Sequence, residues 1–196
     1  MVAKKRITLD RRNVVDEILK NRGDLLVVSG LGAPTWDVAA AGDHPNNFYL
    51  WGGMGGAALI GLGLALAQPL RRVLVITGDG EILMGLGGLA TVAVQSPKNL
   101  AICIIDNQRY GETGMQETHT EHGVDLCAMA SGAGFTKVQT VFTKKELIAV
   151  IPLLCQEMGP VFVNFKVNAD SQTMTLPERD GPTLKHRFRK AVTGLW

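Results

Sequence analysis

Apolar residues fall into short unbroken runs, separated by longer segments in which they recur every three or four positions. The runs at residues 25–29, 73–77, 100–105 and 161–167 read as strands. The second and third are apolar at nearly every position, as expected where both faces of a parallel strand are covered. Helical spacing occupies residues 11–21, 57–67, 83–94 and 144–157. Thr143 followed by Glu146 makes a capping box for the last of these. The alternation predicts an α/β fold, an open, mostly parallel sheet with helices on both faces. No internal repeat or low-complexity linker breaks the pattern. Residues 170–196 are polar and basic and carry Pro177 and Pro182. They are expected to wrap a surface or reach a neighbouring chain. The chain therefore reads as one domain, with a core at about 10–167 and a tail at 170–196.

Composition narrows the function classes. Hydrophobic residues make up 46% of the 196 and charged residues 19%, which excludes an intrinsically disordered chain. A net charge of +2 gives no reason to expect nucleic acid or an anionic membrane as partner. The most apolar stretch, 54–67, is Gly-rich and shorter than the roughly 20 residues of a membrane span. Residues 1–10 are basic and polar, unlike a signal peptide. Cys103, Cys127 and Cys155 are odd in number and lack CxxC spacing. That suits a reducing compartment and argues against a thiolate zinc site. A soluble cytoplasmic protein is expected. The 23 glycines cluster, marking tight turns and close approach of backbone to a ligand.

In open α/β sheets, ligands sit beyond the carboxyl ends of the strands. Gly78-Asp79-Gly80 follows the second strand, and Asp106-Asn107-Gln108-Arg109-Tyr110-Gly111 follows the third. Alone, each reads as an ordinary turn. Together they say more. The intervening residues, 81–106, number twenty-six, enough for one helix and one strand, so both segments return to the same sheet edge. A carboxylate, an Asn side-chain oxygen and a backbone carbonyl form half of an octahedral oxygen shell. Mg²⁺ completes such a shell with phosphates and water, so the pair predicts a magnesium–diphosphate site. A rival reading rests on Gly53-x-Gly55-x-x-Ala58, a dinucleotide fingerprint that would make the protein an oxidoreductase. It needs a free acidic residue at the end of the next strand, and Asp79 there already belongs to the Gly-Asp-Gly turn. The Gly-rich segment 29–37 could complete a phosphate cradle or line a substrate pocket. His119 and His122 are candidate acid–base groups near pH 7, an HxxH metal pair, or simply solvated side chains.

A Gly-Asp-Gly turn, some two dozen residues, then a paired Asp-Asn resembles the diphosphate-binding motif of thiamine-diphosphate enzymes. Asn47-Phe48-Tyr49-Leu50-Trp51-Gly52-Gly53-Met54-Gly55 and Tyr110-Gly111-Glu112-Thr113-Gly114-Met115-Gln116 are similar to stretches of the small 2-oxo-acid decarboxylases. Sulfopyruvate decarboxylase β subunits and phosphonopyruvate decarboxylases typify that group. The resemblance spans about residues 10–167. It implies Mg²⁺ held by Asp79, Asn107 and the Arg109 carbonyl, and a diphosphate contacted by the N–H groups of Gly80 and Glu81. Asp106, where many relatives have Asn, would not be a ligand. Met54 would sit under the cofactor's bent waist, and the Gly52 carbonyl would accept a hydrogen bond from its aminopyrimidine. Ser29, Gly30, Leu31, Gly78, Tyr110 and Gly111 would complete the cofactor site. Glu112, Thr113 and His119 are the catalytic candidates.

Two departures matter. A Ser-Arg-Glu triplet in those relatives is replaced here by Thr35-Trp36-Asp37. An Arg fork suits a sulfonate or phosphonate and Trp does not. If this loop lines the pocket, the substrate would be less anionic, bulkier or aromatic; otherwise Trp36 packs in an interface. The family's activating Glu lies on a separate pyrimidine-binding domain, and 196 residues leave room for one domain only. The resemblance thus implies the β subunit of a split enzyme, α2β2 or larger, whose α partner supplies the Glu. The Gly-rich segment 54–67 would be either interface or plain core. The implied activity is decarboxylation of a small 2-oxo acid to an aldehyde. The alternatives are a carboligase or lyase handling 2-hydroxyketones, and a non-catalytic cofactor-binding subunit.

Overall fold

The computed structural model describes residues 7–194. Most of the segment tested for a leader, and the last two residues of the tail, lie outside the described residues. Asp10 caps α1 (Arg11–Leu19) by accepting from the Asn13 N–H. There follow β1 (Leu26–Ser29), α2 (Ala33–Ala40), β2 (Asn47–Tyr49), α3 (Ala57–Ala67) and β3 (Val73–Gly78). Next come α4 (Asp79–Met84), α5 (Gly88–Gln95), β4 (Leu100–Asp106), β5 (Arg109–Tyr110) and β6 (Gln116–Glu117). The chain continues through α6 (Leu126–Ala133), β7 (Lys137–Val141), α7 (Lys144–Cys155), β8 (Val161–Lys166) and α8 (Gly181–Thr193).

Six strands form one sheet in the order β2-β1-β3-β4-β8-β7, with every pairing parallel. β5 and β6 make a separate antiparallel ribbon. The strands read as central, β3 and β4, pair from Val73↔Leu100 to Gly78↔Ile105. Their alternate side chains feed two cores. On one face Leu74, Ile76, Ala101, Cys103 and Ile105 meet α1, α2 and α7. On the other, Val73, Val75, Leu100, Ile102 and Ile104 meet α3, α4, α5 and α6. Each large side chain so buried contributes about 1.5–3 kcal/mol over leaving it in water. From β1 the chain first steps outward to β2, then returns to β3 on the other side. The strand order therefore reverses between β1 and β3, which is where such sheets hold ligands.

Two expectations need correction, and a third, left open between two outcomes, is decided. The single helix expected at 83–94 is two, α4 and α5, broken at Gly85–Gly87. An added Cβ at Gly85 would stand 2.1 Å from the Gly55 carbonyl oxygen, so two backbones touch here and the chain must turn. The segment 29–37, read as a loop, contains most of α2, with Pro34 in its first turn. The tail is half ordered helix. Leu184 of α8 is buried, the Phe188 ring lies 5.2 Å from that of Phe48 on β2, and Arg187 pairs with Asp43 at 2.6 Å. The tail thus wraps this chain's own β2 edge.

Candidate functional site

The carboxyl ends of β1, β3 and β4 open into one pocket. β3 delivers Gly78 and the first turn of α4, Asp79, Gly80 and Glu81; beyond β4 come Asn107, Arg109, Tyr110, Gly111, Glu112 and Thr113. Leu31 and Met54 close it from the β1 and β2 sides, and α1 contributes Arg11.

Asp79 is almost fully buried. Its Oδ2 accepts from the Thr118 hydroxyl, and the Thr120 hydroxyl lies 3.2 Å away. The Thr120 oxygen is also 2.8 Å from Asp106 Oδ1, so one hydroxyl joins the two carboxylates. Asp106 is neutralised from below: Lys166 Nζ lies 2.5 Å from Oδ2, and the Asn164 amide donates to the same oxygen. An acid is accommodated at 106 because Lys166 faces it. Burial, and then the Asp106 charge, push the Asp79 carboxyl up to about 6, although both threonines pull it back. A cation against Asp79 would offset that cost.

The loop after β4 is set by Asn107, whose Oδ1 accepts from the Arg109 N–H at 3.0 Å while Gln108 adopts a left-handed φ of 63°. This turn holds the Asn107 oxygen and the Arg109 backbone together. Gly80 lies under the Tyr110 ring; an added Cβ would stand 2.3 Å from Cε1. The Gly-Asp-Gly turn and the Asn107 loop thus pack against each other with no room for a side chain. Glu81 has a structural duty that the sequence did not reveal. Its carboxylate accepts from the N–H groups of Gly55 and Ala57, each at 2.9 Å, and from the Thr77 hydroxyl at 2.8 Å. It thereby ties the Gly-rich loop before α3 to the end of β3.

The donor set is one carboxylate, one amide oxygen and nearby peptide carbonyls. Among the described residues no three His, Cys, Asp or Glu side chains gather as a metal site. Such a set fits a hard cation that takes its remaining oxygens from phosphate and water, as Mg²⁺ does. It does not fit zinc.

Twelve of the expected site residues line the pocket: Leu31, Met54, Gly78, Asp79, Gly80, Glu81, Asn107, Arg109, Tyr110, Gly111, Glu112 and Thr113. Ser29, Gly30, Gly52 and His119 do not. Ser29 is buried, its hydroxyl 2.6 Å from that of Thr35. Gly30 abuts the Thr77 side chain, so close that an added Cβ would stand 2.0 Å from its oxygen. Gly52 is exposed on the loop before Met54. His119 is exposed, its carbonyl accepting from the His122 and Val124 N–H groups, and His122 pairs with Glu117 at 3.2 Å. Trp36 is half-buried on α2, outside the pocket lining. Sequence reading missed Arg11, Thr118 and Thr120. The Thr-x-Thr alternation after the Asn107 loop is a usable signal for the last two; a lone Arg at a helix start gives none.

Residues 32–165 match the family described as thiamine pyrophosphate enzyme, C-terminal TPP binding domain. The chain is 43% identical over 185 residues to the sulfopyruvate decarboxylase β subunit of Methanocaldococcus jannaschii, covering 93% of this chain and 96% of that one. It is 38% identical over 188 residues to the corresponding subunit of Methanothermobacter thermautotrophicus, covering 95% and 97%. With phosphonopyruvate decarboxylase of Streptomyces hygroscopicus it shares 35% identity over 171 residues, 87% of this chain but only 42% of that longer one. A crystal structure from Mycobacterium smegmatis, assigned as a thiamin diphosphate-dependent enzyme, superposes with a TM-score of 0.71 over 83% of this chain and 32% of that one, at 22% identity. By sequence and by fold, the chain belongs to the thiamine-pyrophosphate enzyme family, as its C-terminal-type cofactor-binding domain.

Proposed function

We propose that this chain is the diphosphate-binding β subunit of a two-subunit, thiamine-diphosphate-dependent 2-oxo-acid decarboxylase. The observation that carries this reading is the convergence of Asp79, Asn107, Arg109 and Met54 on one pocket at the strand-order reversal. Near-complete coverage of relatives named as β subunits supports the two-subunit part. So does coverage of under half of the single-chain phosphonopyruvate decarboxylase, whose remaining length leaves room for a second domain.

In this reading Asp79, Asn107 and the Arg109 carbonyl hold Mg²⁺ on the diphosphate, and the Gly80 and Glu81 N–H groups face its oxygens. Met54 supports the cofactor's bend. When bound, thiamine diphosphate supplies the electron sink into which the carboxylate's bonding pair is released as CO₂ departs. This chain positions the cofactor, excludes water with Leu31, Pro34 and Ile105, and offers Glu112 as proton donor. Partial burial raises the Glu112 carboxyl above its ordinary range, against the pull of Arg11. The carboxylate that activates the pyrimidine comes from the partner α subunit, in the cytoplasm. α3 buries Ala57, Ala58, Gly61, Leu62 and Ala65 in the core, and leaves Leu59, Ile60 and Leu66 exposed as a face for that partner.

The test is reconstitution with the separately encoded partner, Mg²⁺ and cofactor, followed by CO₂ and aldehyde release from 3-sulfopyruvate, oxaloacetate and pyruvate. Turnover of at least one acid, dependent on both chains and lost in Asp79→Ala, is the expected result. Cofactor binding with no turnover of any acid would overturn it in favour of a non-catalytic subunit.

A further inference from the structure

Two guanidinium groups line the pocket, and they are placed differently. Arg109 is held by two acids, Glu121 at 3.1 Å and Glu117 at 3.7 Å. Arg11 reaches the pocket from the first residue of α1, and only 6% of it is exposed. Its Nη1 donates to the Ala33 carbonyl and to Asp37, a fully buried carboxylate on α2. Arg12 Nε donates to the other oxygen of the same Asp37 at 3.1 Å. Two cations therefore share one carboxylate, so Asp37 alone does not neutralise them, and the further carboxyl that feels Arg11 is Glu112. Both bonds use Nη1, so among the described residues the rest of the fork has no protein acceptor. The guanidinium is thus fixed by its neighbours and still able to take a second, planar anion. On the same side stands Glu112, its carboxyl lying over Gly32 at the start of α2 and within the influence of Arg11.

Resting on the function proposed above, we infer that Arg11 is the specificity-determining residue that binds the anionic group the substrate retains. The departing carboxylate is a poor ligand for it. A fixed cation there would stabilise a charge that is lost as CO₂ leaves, and so would raise the barrier. A second carboxylate or sulfonate keeps its charge throughout, so contact with it binds substrate without opposing the reaction. The loop substitution that places Trp at 36 then costs the pocket no cation, because Trp36 does not line it. The preferred acids are therefore those with a second anion, not bulky or aromatic ones. The cofactor diphosphate could claim the same fork, and the test separates the two.

The experiment uses the cofactor-loaded complex with the partner chain, as wild type, Arg11→Gln, Arg11→Lys and the double variant Arg11→Gln/Asp37→Asn. Sulfoacetate, which has both anions but no ketone and cannot react, is titrated calorimetrically, and kcat and KM are measured for 3-sulfopyruvate and pyruvate. In Arg11→Gln, sulfoacetate affinity should fall by about ten- to a hundredfold, the size of a lost charge-assisted contact. KM for sulfopyruvate should rise in parallel and by much more than that for pyruvate, whose turnover changes only as far as losing Arg11 alters Glu112, with cofactor affinity unchanged; Arg11→Lys should fall between. The double variant, which leaves no buried carboxylate deprived of its partner, should stay defective for the dianion. Restored dianion preference in the double variant would overturn the assignment, leaving Arg11 as a partner for Asp37 only. Weakened cofactor binding with unchanged preference would also overturn it, giving the fork to the diphosphate. A wild-type complex that decarboxylates neither these two acids nor oxaloacetate counts against the proposed function, whereas the sulfoacetate titration needs no turnover and decides Arg11 separately.

Discussion

At the scale of single residues, the site depends on side chains that support the proposed metal ligands. Thr118 and Thr120 both face Asp79 Oδ2 and fix the direction of the other carboxylate oxygen. Groups that orient a ligand typically account for 10–100-fold in metal affinity. Thr118→Val should therefore weaken Mg²⁺-dependent cofactor binding by about that factor while leaving the thermal midpoint within a few degrees, a result that calorimetric titration with and without EDTA would check. Unchanged affinity would remove Thr118 from the site. Asp79 and Asn107 were legible in the sequence because their spacing brings two strand ends to one edge. The threonines were not, because their reach depends on how residues 111–120 fold back across β3. Glu81 was legible by position, but nothing in the sequence signalled that its carboxylate organises the Gly55–Ala57 backbone.

At the scale of elements, packing decided where sequence periodicity failed. Hydrophobic spacing alone carries a helix through 83–94, yet the chain breaks where Gly85 meets Gly55 backbone to backbone. Gly85→Ala would drive a methyl to 2.1 Å from the Gly55 oxygen. It should cost about 1–3 kcal/mol, the usual range for overpacking, and lower the melting midpoint by several degrees. Because Gly55 adjoins Met54, cofactor affinity should fall as well. Gly63→Ala is the control: nothing lies within 4 Å of the added methyl on the exposed side of α3, and the helix should gain roughly 0.5–1 kcal/mol. Equal midpoints for the two variants would contradict the close-approach argument.

The tail is a second element that the sequence undersold, since its 3.6-residue pattern is mostly charged and its few anchors, Leu184 and Phe188, find partners only in three dimensions. Burial of the Asp43 carboxyl alone would raise it. Hydrogen bonds from Arg187 and Tyr49, with the Arg187 charge, more than offset that and hold it below its ordinary range. A depressed carboxylate contributes stability that is present above its unfolded value near 4 and lost as pH falls through the folded value. Amide exchange in α8, corrected for intrinsic rates, should accelerate selectively below about pH 4. Asp43→Asn should remove that pH dependence. Exchange in α8 that follows the core strands at every pH would rule out Asp43 as the latch.

At the scale of the whole molecule, the alternating strands and helices were readable because β3 and β4 are apolar on both faces, which only a covered parallel sheet demands. The order of the strands was not readable. It depends on β2 pairing outside β1, and the three residues of β2 give no sequence signal for that. That order places the reversal between β1 and β3, and the reversal gathers the Asn107 loop, the Gly-rich loop and Arg11 into one pocket. The pocket is built from one chain, whereas the chemistry proposed for it needs a carboxylate from another. The most direct test is native mass spectrometry of the chain co-expressed with its partner, in Mg²⁺ and thiamine diphosphate. The account predicts a heteromer carrying one cofactor per chain of this type, and the same heteromer stripped of cofactor in Asp79→Asn. A wild-type complex without cofactor, or full occupancy in Asp79→Asn, would contradict it.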